Sequence, residues 1–168
     1  MIKAVLFDWG NTLMIDFHDQ TGPMHRWNKI EAVKNAEACL SKLSEEFPFY
    51  IATNAKDSTK EDIYKALTLV NIRKYITDVF CYNEIGHEKP TRDFYNFIFN
   101  KLSLAPYEIV LIGDDLEKDF RGALQNGVCG ILFDPDDKYA GAGPRIKDLL
   151  EIHKVIDDLA HRVIDTEN

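Results

Sequence analysis

Aspartates follow two apolar segments of the chain in positions that suit metal chemistry. Asp114, Asp115 and Asp119 come directly after an apolar run that ends at Gly113, and a second apolar run near the N-terminus ends at Asp8. Apolar runs of this length are typical of buried strands. Carboxylate oxygens are hard ligands of the kind that Mg²⁺ prefers. We therefore expect the two acid-tipped strands to share one magnesium site.

The elements that must position these acids alternate between strand and helix along the chain. Nearly continuous apolar strands alternating with helices predict a parallel sheet covered on both faces. The fold class is therefore α/β, with a doubly wound, mainly parallel five-stranded sheet. In such sheets ligands bind beyond the carboxyl ends of the strands. The predicted strands cover 2–7, 49–53, 79–82, 109–112 and 129–133. Two of the predicted helices cover 26–46 and 117–125. Three more are a helix capped by Asp57 or Ser58, a helix after Lys89-Pro90 and a helix in the C-terminal segment.

Length and composition favour a single domain over residues 1–168. The chain has 168 residues, of which 45% are hydrophobic, enough for one core. A formal charge of −8 argues against nucleic-acid binding, which needs clustered lysines and arginines. The three cysteines are far apart and are expected to be reduced thiols. With no leader-like or membrane-spanning segment in the sequence, we expect a cytoplasmic protein.

Four short motifs follow one another along the chain, namely Leu6-Phe7-Asp8 with Thr12, Thr53-Asn54, Lys89-Pro90, and Gly113-Asp114-Asp115 with Asp119. Each motif is weak alone, but their order and their positions at strand ends are specific in combination. Together they resemble the haloacid dehalogenase superfamily of aspartate-nucleophile hydrolases and phosphatases. The resemblance covers nearly the whole chain.

The resemblance implies a Mg²⁺-dependent phosphatase in which Asp8 attacks phosphorus and forms an aspartyl-phosphate. It implies that Asp8, Asp114 and the backbone carbonyl of Gly10 hold the metal. The substrate-binding residues implied are Thr53, Asn54 and Lys89, which would hold and neutralise the phosphoryl group. Asp115 and Asp119 are implied as supporting acids that orient water or tether the lysine. The implied catalytic set is Asp8, Thr12, Thr53, Lys89, Asp115 and Asp119.

The chain departs from the family at Gly10. Most phosphatases of the family have an aspartate there, which protonates the leaving oxygen and then activates water, and losing such a group costs about 10²–10⁴-fold in rate. In one explanation the acid comes from the following loop, from Asp16, His18 or Asp19, or the leaving group departs unaided. In a second, the chain is a carbon–halogen or phosphonate hydrolase. In a third, it is a catalytically weak binding or regulatory module.

The family's large cap domain is missing from the predicted elements. Only a loop and one helix are predicted between Leu13 and Tyr50, and only a helix and a short strand over 54–88. An uncapped site is open to a phosphorylated small molecule or a phosphorylated macromolecule. Substrate identity and oligomeric state stay open.

Two other classes of protein are disfavoured by the order of motifs. Receiver domains place their acid pair after the first strand and their phospho-accepting aspartate before the threonine and lysine, whereas here the acid pair comes last. A dinucleotide-binding domain would need a Gly-x-Gly-x-x-Gly motif after the first strand, and the sequence has none there.

Overall fold

The computed structural model describes residues 1–165, and the side chains of residues 1–159. The strands are β1 (Ala4–Phe7), β2 (Phe49–Thr53), β3 (Ile76–Cys81), β4 (Ile109–Gly113), β5 (Cys129–Phe133) and β6 (Arg145–Ile146). The α-helices are α1 (Ala36–Leu43), α2 (Lys60–Leu69), α3 (Tyr82–Ile85), α4 (Arg92–Leu102), α5 (Gly122–Gln125) and α6 (Ile152–Asp165). A π-helical segment, Leu116–Arg121, leads directly into α5.

All six strands form one parallel sheet in the order β3-β2-β1-β4-β5-β6. The predicted α/β class is confirmed, but the expected strand count of five was wrong by one. The additional strand, β6, has only two residues and pairs with Leu132 and Phe133 at one edge of the sheet. Two residues show no alternation of apolar and polar side chains, so the sequence pattern does not reveal such a strand.

Helices cover both faces of the sheet, as predicted. On one face α1, α2 and α6 pack on the buried side chains that the central strands direct to that face, including Val5 and Phe7. On the other face α4 and α5 pack on the alternate side chains, including Leu6 and Leu111. Successive residues of a strand point to opposite faces, so the fully apolar β1 supplies both cores.

The helix predicted over 26–46 was wrong in its first half, since α1 begins only at Ala36. The chain before it lies beside the segment that follows β1. Ile15 donates its N–H to the carbonyl of Glu31 at 2.9 Å, and Val33 donates to Leu13 at 2.8 Å. These contacts between distant segments hold the backbone extended, and apolar spacing that suits a helix cannot reveal them.

Two helix starts also differ from the predictions. Helix α2 is capped by Thr59, which forms a reciprocal capping box with Asp62, rather than by Asp57 or Ser58. The helix predicted from Glu117 begins one residue earlier, and the side chain of Asp115 caps it.

The three cysteines are free thiols. None of the helices within residues 1–165 combines the length and apolar character needed to cross a membrane.

Candidate active site

The candidate site lies where β1, β2 and β4 end at the same edge of the sheet. Asp8 follows the last residue of β1, Thr53 is the last residue of β2, and Asp114 follows the last residue of β4. All three line one cavity of about 490 Å³, together with Gly10 and Lys89. Parallel neighbouring strands bring their carboxyl ends together, so residues far apart in sequence meet here.

A buried lysine joins two of the predicted acids. Nζ of Lys89 donates to Oδ1 of Asp8 at 2.8 Å and to Oδ1 of Asp119 at 2.7 Å. The side chains of Lys89 and Asp119 are only 2% and 3% exposed, and that of Asp8 is 15% exposed. Burial by itself lowers the pKa of Lys89, but the carboxylates of Asp119 and Asp8 outweigh it and raise the pKa above its ordinary value. The lysine therefore carries its positive charge into the site.

Asn54 fixes the backbone of that lysine. Oδ1 of Asn54 accepts the N–H of Lys89 at 2.8 Å, and Nδ2 donates to the carbonyl of Lys89 at 2.9 Å. Both ends of the amide are thus engaged with one residue 35 positions away. Asn54 also lines the cavity, and its predicted role in substrate binding stays a prediction.

Thr12 lies between the two acids that end β1 and β4. Its Oγ1 is 3.2 Å from Oδ1 of Asp114 and 3.4 Å from Oδ2 of Asp8, so its one proton can be donated to either carboxylate. Thr12 is completely buried and is not among the residues that line the cavity. Its contacts suit a residue that aligns the acids rather than one that touches substrate.

Asp8, Asp114 and Asp119 form a compact acid cluster, with one oxygen of each lying within 4.8 Å of the others. Burial raises the pKa of Asp8, and Asp114 adds to this shift while Lys89 opposes it. Burial and the charge of Asp119 raise the pKa of Asp114. Burial raises the pKa of Asp119 to about 6, with a further contribution from Asp8. When all three are ionised, the lysine leaves two negative charges uncompensated, and a divalent cation has the charge to neutralise them.

The two remaining acids of the last motif have different positions. Oδ1 of Asp115 accepts the N–H groups of Glu117 and Lys118, both at 2.9 Å, and so caps the π-helical segment. Oδ2 of Asp119 accepts the N–H of Asp115 at 3.1 Å, while its other oxygen binds the lysine. Gly113 permits this approach, because a β-carbon there would overlap the Asp119 carboxylate.

Thr53 is 4% exposed at the wall of the cavity, and its Oγ1 accepts the N–H of Ala55 at 3.1 Å. That geometry leaves the hydroxyl proton available to a ligand. The motif residues do not account for the whole cavity. Its wall also includes residues that the sequence did not identify as site residues, namely Gln20, Thr21, Asp57, Ser58 and Lys118. They come from two loops and the π-helical segment, and only the folded chain brings them together.

The fold is a doubly wound α/β sheet, with a cluster of acids around a buried lysine at the carboxyl edge of its central strands. In the family comparison, residues 7–133 match the model of the haloacid dehalogenase-like hydrolases. The chain belongs to this family, as its motifs predicted.

Several curated proteins are similar in sequence. YfnB of Bacillus subtilis, described as a putative hydrolase of the family, is 24% identical over 141 residues, which cover 82% of this chain and 56% of YfnB. The ribulose-1,5-bisphosphate 5-phosphatase of Halopiger xanaduensis is 31% identical over 111 residues, 66% of this chain and 45% of that enzyme. The chain thus spans about half the length of these relatives.

Solved structures with the same fold include an uncharacterized protein from Listeria monocytogenes serotype 4b. Its TM-score is 0.83 at 24% identity, covering 95% of this chain and 99% of that one. The structure of YfnB bound to magnesium has a TM-score of 0.75 at 17% identity, and this structural alignment covers 93% of this chain and 99% of the chain in that structure. At these identities the likeness concerns the fold.

Proposed function

We propose that the protein is a Mg²⁺-dependent phosphatase that hydrolyses phosphomonoesters through an aspartyl-phosphate on Asp8. The observation that carries this proposal is the position of Asp8 at the cavity wall, 2.8 Å from the ammonium of Lys89 and beside Asp114. A carboxylate attacks phosphorus only when the charge of the phosphate is offset, and here a buried cation already lies next to the attacking group.

The first step forms a bond between an oxygen of Asp8 and phosphorus, and the bond from phosphorus to the ester oxygen breaks. Water then attacks the same phosphorus and releases Asp8 as a carboxylate with inorganic phosphate. Lys89 lies close enough to Asp8 to contact the phosphoryl oxygens as they arrive. Thr53, with its hydroxyl proton available, is a second donor to those oxygens.

The donor set fits a magnesium ion. Asp8, Asp114 and the backbone carbonyl of Gly10 would hold it, because all three residues line the cavity and offer hard oxygen ligands. Asp119 is less suited to direct ligation, since both its oxygens already bind Lys89 and a backbone N–H. When bound, Mg²⁺ supplies positive charge that offsets the repulsion between nucleophile and phosphate. The relative YfnB has been crystallised with magnesium.

The substrate class proposed is a phosphorylated small molecule. Relatives in sequence include an N-acylneuraminate-9-phosphatase from Homo sapiens, 26% identical over 61% of this chain, and the ribulose-bisphosphate phosphatase described above. We also propose that residues 1–168 act as one domain without a large cap. Between β1 and β2 the chain has one 3₁₀ turn and α1, and between β2 and Lys89 it has one 3₁₀ turn, α2, β3 and α3.

The test is hydrolysis of p-nitrophenyl phosphate and a panel of phosphorylated metabolites, with Mg²⁺ and with EDTA. Asp8→Asn should lower kcat at least about 10³-fold while leaving the protein folded, as judged by its circular dichroism spectrum. Quenched wild-type reactions should contain phosphate on the peptide that includes Asp8, detected by mass spectrometry.

Full activity of Asp8→Asn would contradict the role of Asp8 as nucleophile. Activity that persists in EDTA would contradict the proposed need for Mg²⁺. A folded wild-type protein that hydrolyses none of these esters would contradict the phosphatase activity and favour the explanation of a binding module.

A further inference from the structure

Gly10 has no side chain, but the position that its side chain would occupy is in contact with another carboxylate. A β-carbon built on Gly10 would lie 3.6 Å from both Cβ and Oδ2 of Asp16 and 3.9 Å from its Cγ. These are ordinary van der Waals distances. The Asp16 side chain therefore adjoins the space that an acid at residue 10 would use.

A tight turn brings Asp16 back to this position. The carbonyl of Trp9 accepts the N–H of Met14 at 2.9 Å, and Asn11 donates its own N–H to the carbonyl of Met14 at 2.6 Å. Asn11 has a φ of 57°, a left-handed conformation that asparagine tolerates better than most residues. Its Oδ1 then accepts the N–H of Asp16 at 3.0 Å. The turn thus holds the N–H of Asp16 against the side chain of Asn11.

Asp16 lines the same cavity as the nucleophile, whereas the two other loop candidates, His18 and Asp19, do not. It also differs from the other acids of that cavity in its contacts. Within residues 1–159, no hydrogen-bond or ion-pair partner contacts its carboxylate. The other five cavity acids each have one, and these are Asp8, Asp57, Asp114, Asp115 and Asp119.

We propose that Asp16 replaces the acid missing at residue 10 as the general acid and base of the reaction. This inference rests on the proposed phosphatase activity. Departure of an alcohol from phosphorus needs a proton on the leaving oxygen, and a carboxyl group in the cavity that Asp8 also lines can deliver it.

The proton moves in two steps. When Asp8 attacks phosphorus, the electron pair of the breaking bond stays on the ester oxygen, which takes the proton of the Asp16 carboxyl and leaves as an alcohol. In the second step water attacks the aspartyl-phosphate and gives its proton to the Asp16 carboxylate. The bond between phosphorus and the Asp8 oxygen breaks, its electron pair returns to Asp8, and inorganic phosphate leaves. Asp8 is then again a carboxylate, and Asp16 again carries its proton.

The experiment compares p-nitrophenyl, phenyl and p-methoxyphenyl phosphate, which differ in leaving-group basicity but little in shape. In wild type, kcat/KM should vary only weakly along this series. Asp16→Asn should lower kcat/KM for the two poorer leaving groups about 10²-fold or more, with a smaller loss for p-nitrophenyl phosphate. With p-nitrophenyl phosphate, Asp16→Asn should also release nitrophenol in a burst followed by slow turnover, because the base of the second step is lost.

Two further variants sharpen the result. Asp19→Asn removes a carboxylate from the same exposed loop, outside the cavity, and should retain the shallow wild-type dependence. Gly10→Asp in the Asp16→Asn background should recover activity towards phenyl phosphate at least about tenfold, because residue 10 has room for a side chain beside residue 16.

The outcomes separate the two proposals. Wild type active on p-nitrophenyl phosphate, with Asp16→Asn matching wild type along the series, would overturn the role of Asp16 alone. So would an equally steep dependence in wild type and Asp16→Asn, or a loss confined to Asp19→Asn. Wild type inactive on all three esters would overturn the phosphatase and this inference with it.

Discussion

Lys89 and Asp119 form an ion pair, 2.7 Å between Nζ and Oδ1, with side chains only 2% and 3% exposed. A buried ion pair is stable as a pair but leaves a costly charge when one partner is removed. Asp8 is the second partner of the same ammonium group. Replacement of the lysine should therefore affect both catalysis and the stability of the fold.

Lys89→Met should abolish phosphatase activity and destabilise the fold. Two carboxylates would lose their shared cation, and removal of one member of a buried pair costs about 3–5 kcal/mol. Urea denaturation followed by circular dichroism measures the change in the free energy of unfolding. Lys56→Met is the matched control, because this exposed lysine contacts Glu88 and the ring of Tyr82 at the surface and its loss should cost less than about 1 kcal/mol. Equal effects of the two substitutions would contradict the buried pair as described.

Asp114 and Asp115 are adjacent but should respond differently to substitution by asparagine. Asp114→Asn removes a proposed ligand and should weaken Mg²⁺ binding about tenfold or more, measured by calorimetry. Asp115 caps a helical segment, so Asp115→Asn should leave the Mg²⁺ affinity close to that of wild type and change the free energy of unfolding by no more than about 1 kcal/mol. Unchanged affinity in Asp114→Asn would remove this residue from the metal site.

Asn54→Ala should lower kcat more than it raises KM. The substitution removes two hydrogen bonds to the backbone of Lys89, and each such bond is worth about 0.5–1.5 kcal/mol. A displaced lysine offsets less charge when the phosphoryl group transfers. Steady-state kinetics with p-nitrophenyl phosphate separate the two constants. If KM rises and kcat stays unchanged, Asn54 acts on substrate directly, as the family resemblance implies.

Asp134 gives a prediction for the pH dependence of stability. Burial by itself would raise the pKa of this carboxyl, but the N–H groups of Tyr139 and Lys138 and the guanidinium of Arg145 lower it below its ordinary value. A carboxyl whose pKa is lower in the folded than in the unfolded state stabilises the protein above its unfolded pKa, about 3.9, and loses that contribution as pH falls through the folded value. Asp134→Asn should therefore be less stable than wild type at pH 7.

The difference in urea midpoint between wild type and Asp134→Asn should shrink steadily once pH falls below about 4. Asp136→Asn serves as the control, because Asp136 is exposed and pairs with Lys138 at the surface. A gap for Asp134→Asn that stays constant down to pH 3 would show that the carboxylate charge does not contribute as argued.

The sequence by itself determined the parts of the fold and site that depend on local pattern. Apolar runs that end in Asp8 and Asp114 identified two central strands and the edge where the site lies. The order of the four motifs identified the family. Such patterns are readable because strand burial and motif order are properties of consecutive residues. Magnesium, the roles of single site residues and the cytoplasmic location remain predictions.

Only the tertiary structure decided the features that depend on contacts between distant segments. The pairing of residues 13–15 with 31–33 shortened the first helix, and no local spacing encodes it. The engagement of Asn54 with Lys89 depends on two loops meeting. The approach of Asp16 to Gly10 depends on a turn whose hydrogen bonds form only when the chain is folded. Burial and long-range hydrogen bonding outweigh local propensity at each of these places, and for that reason the sequence left them open.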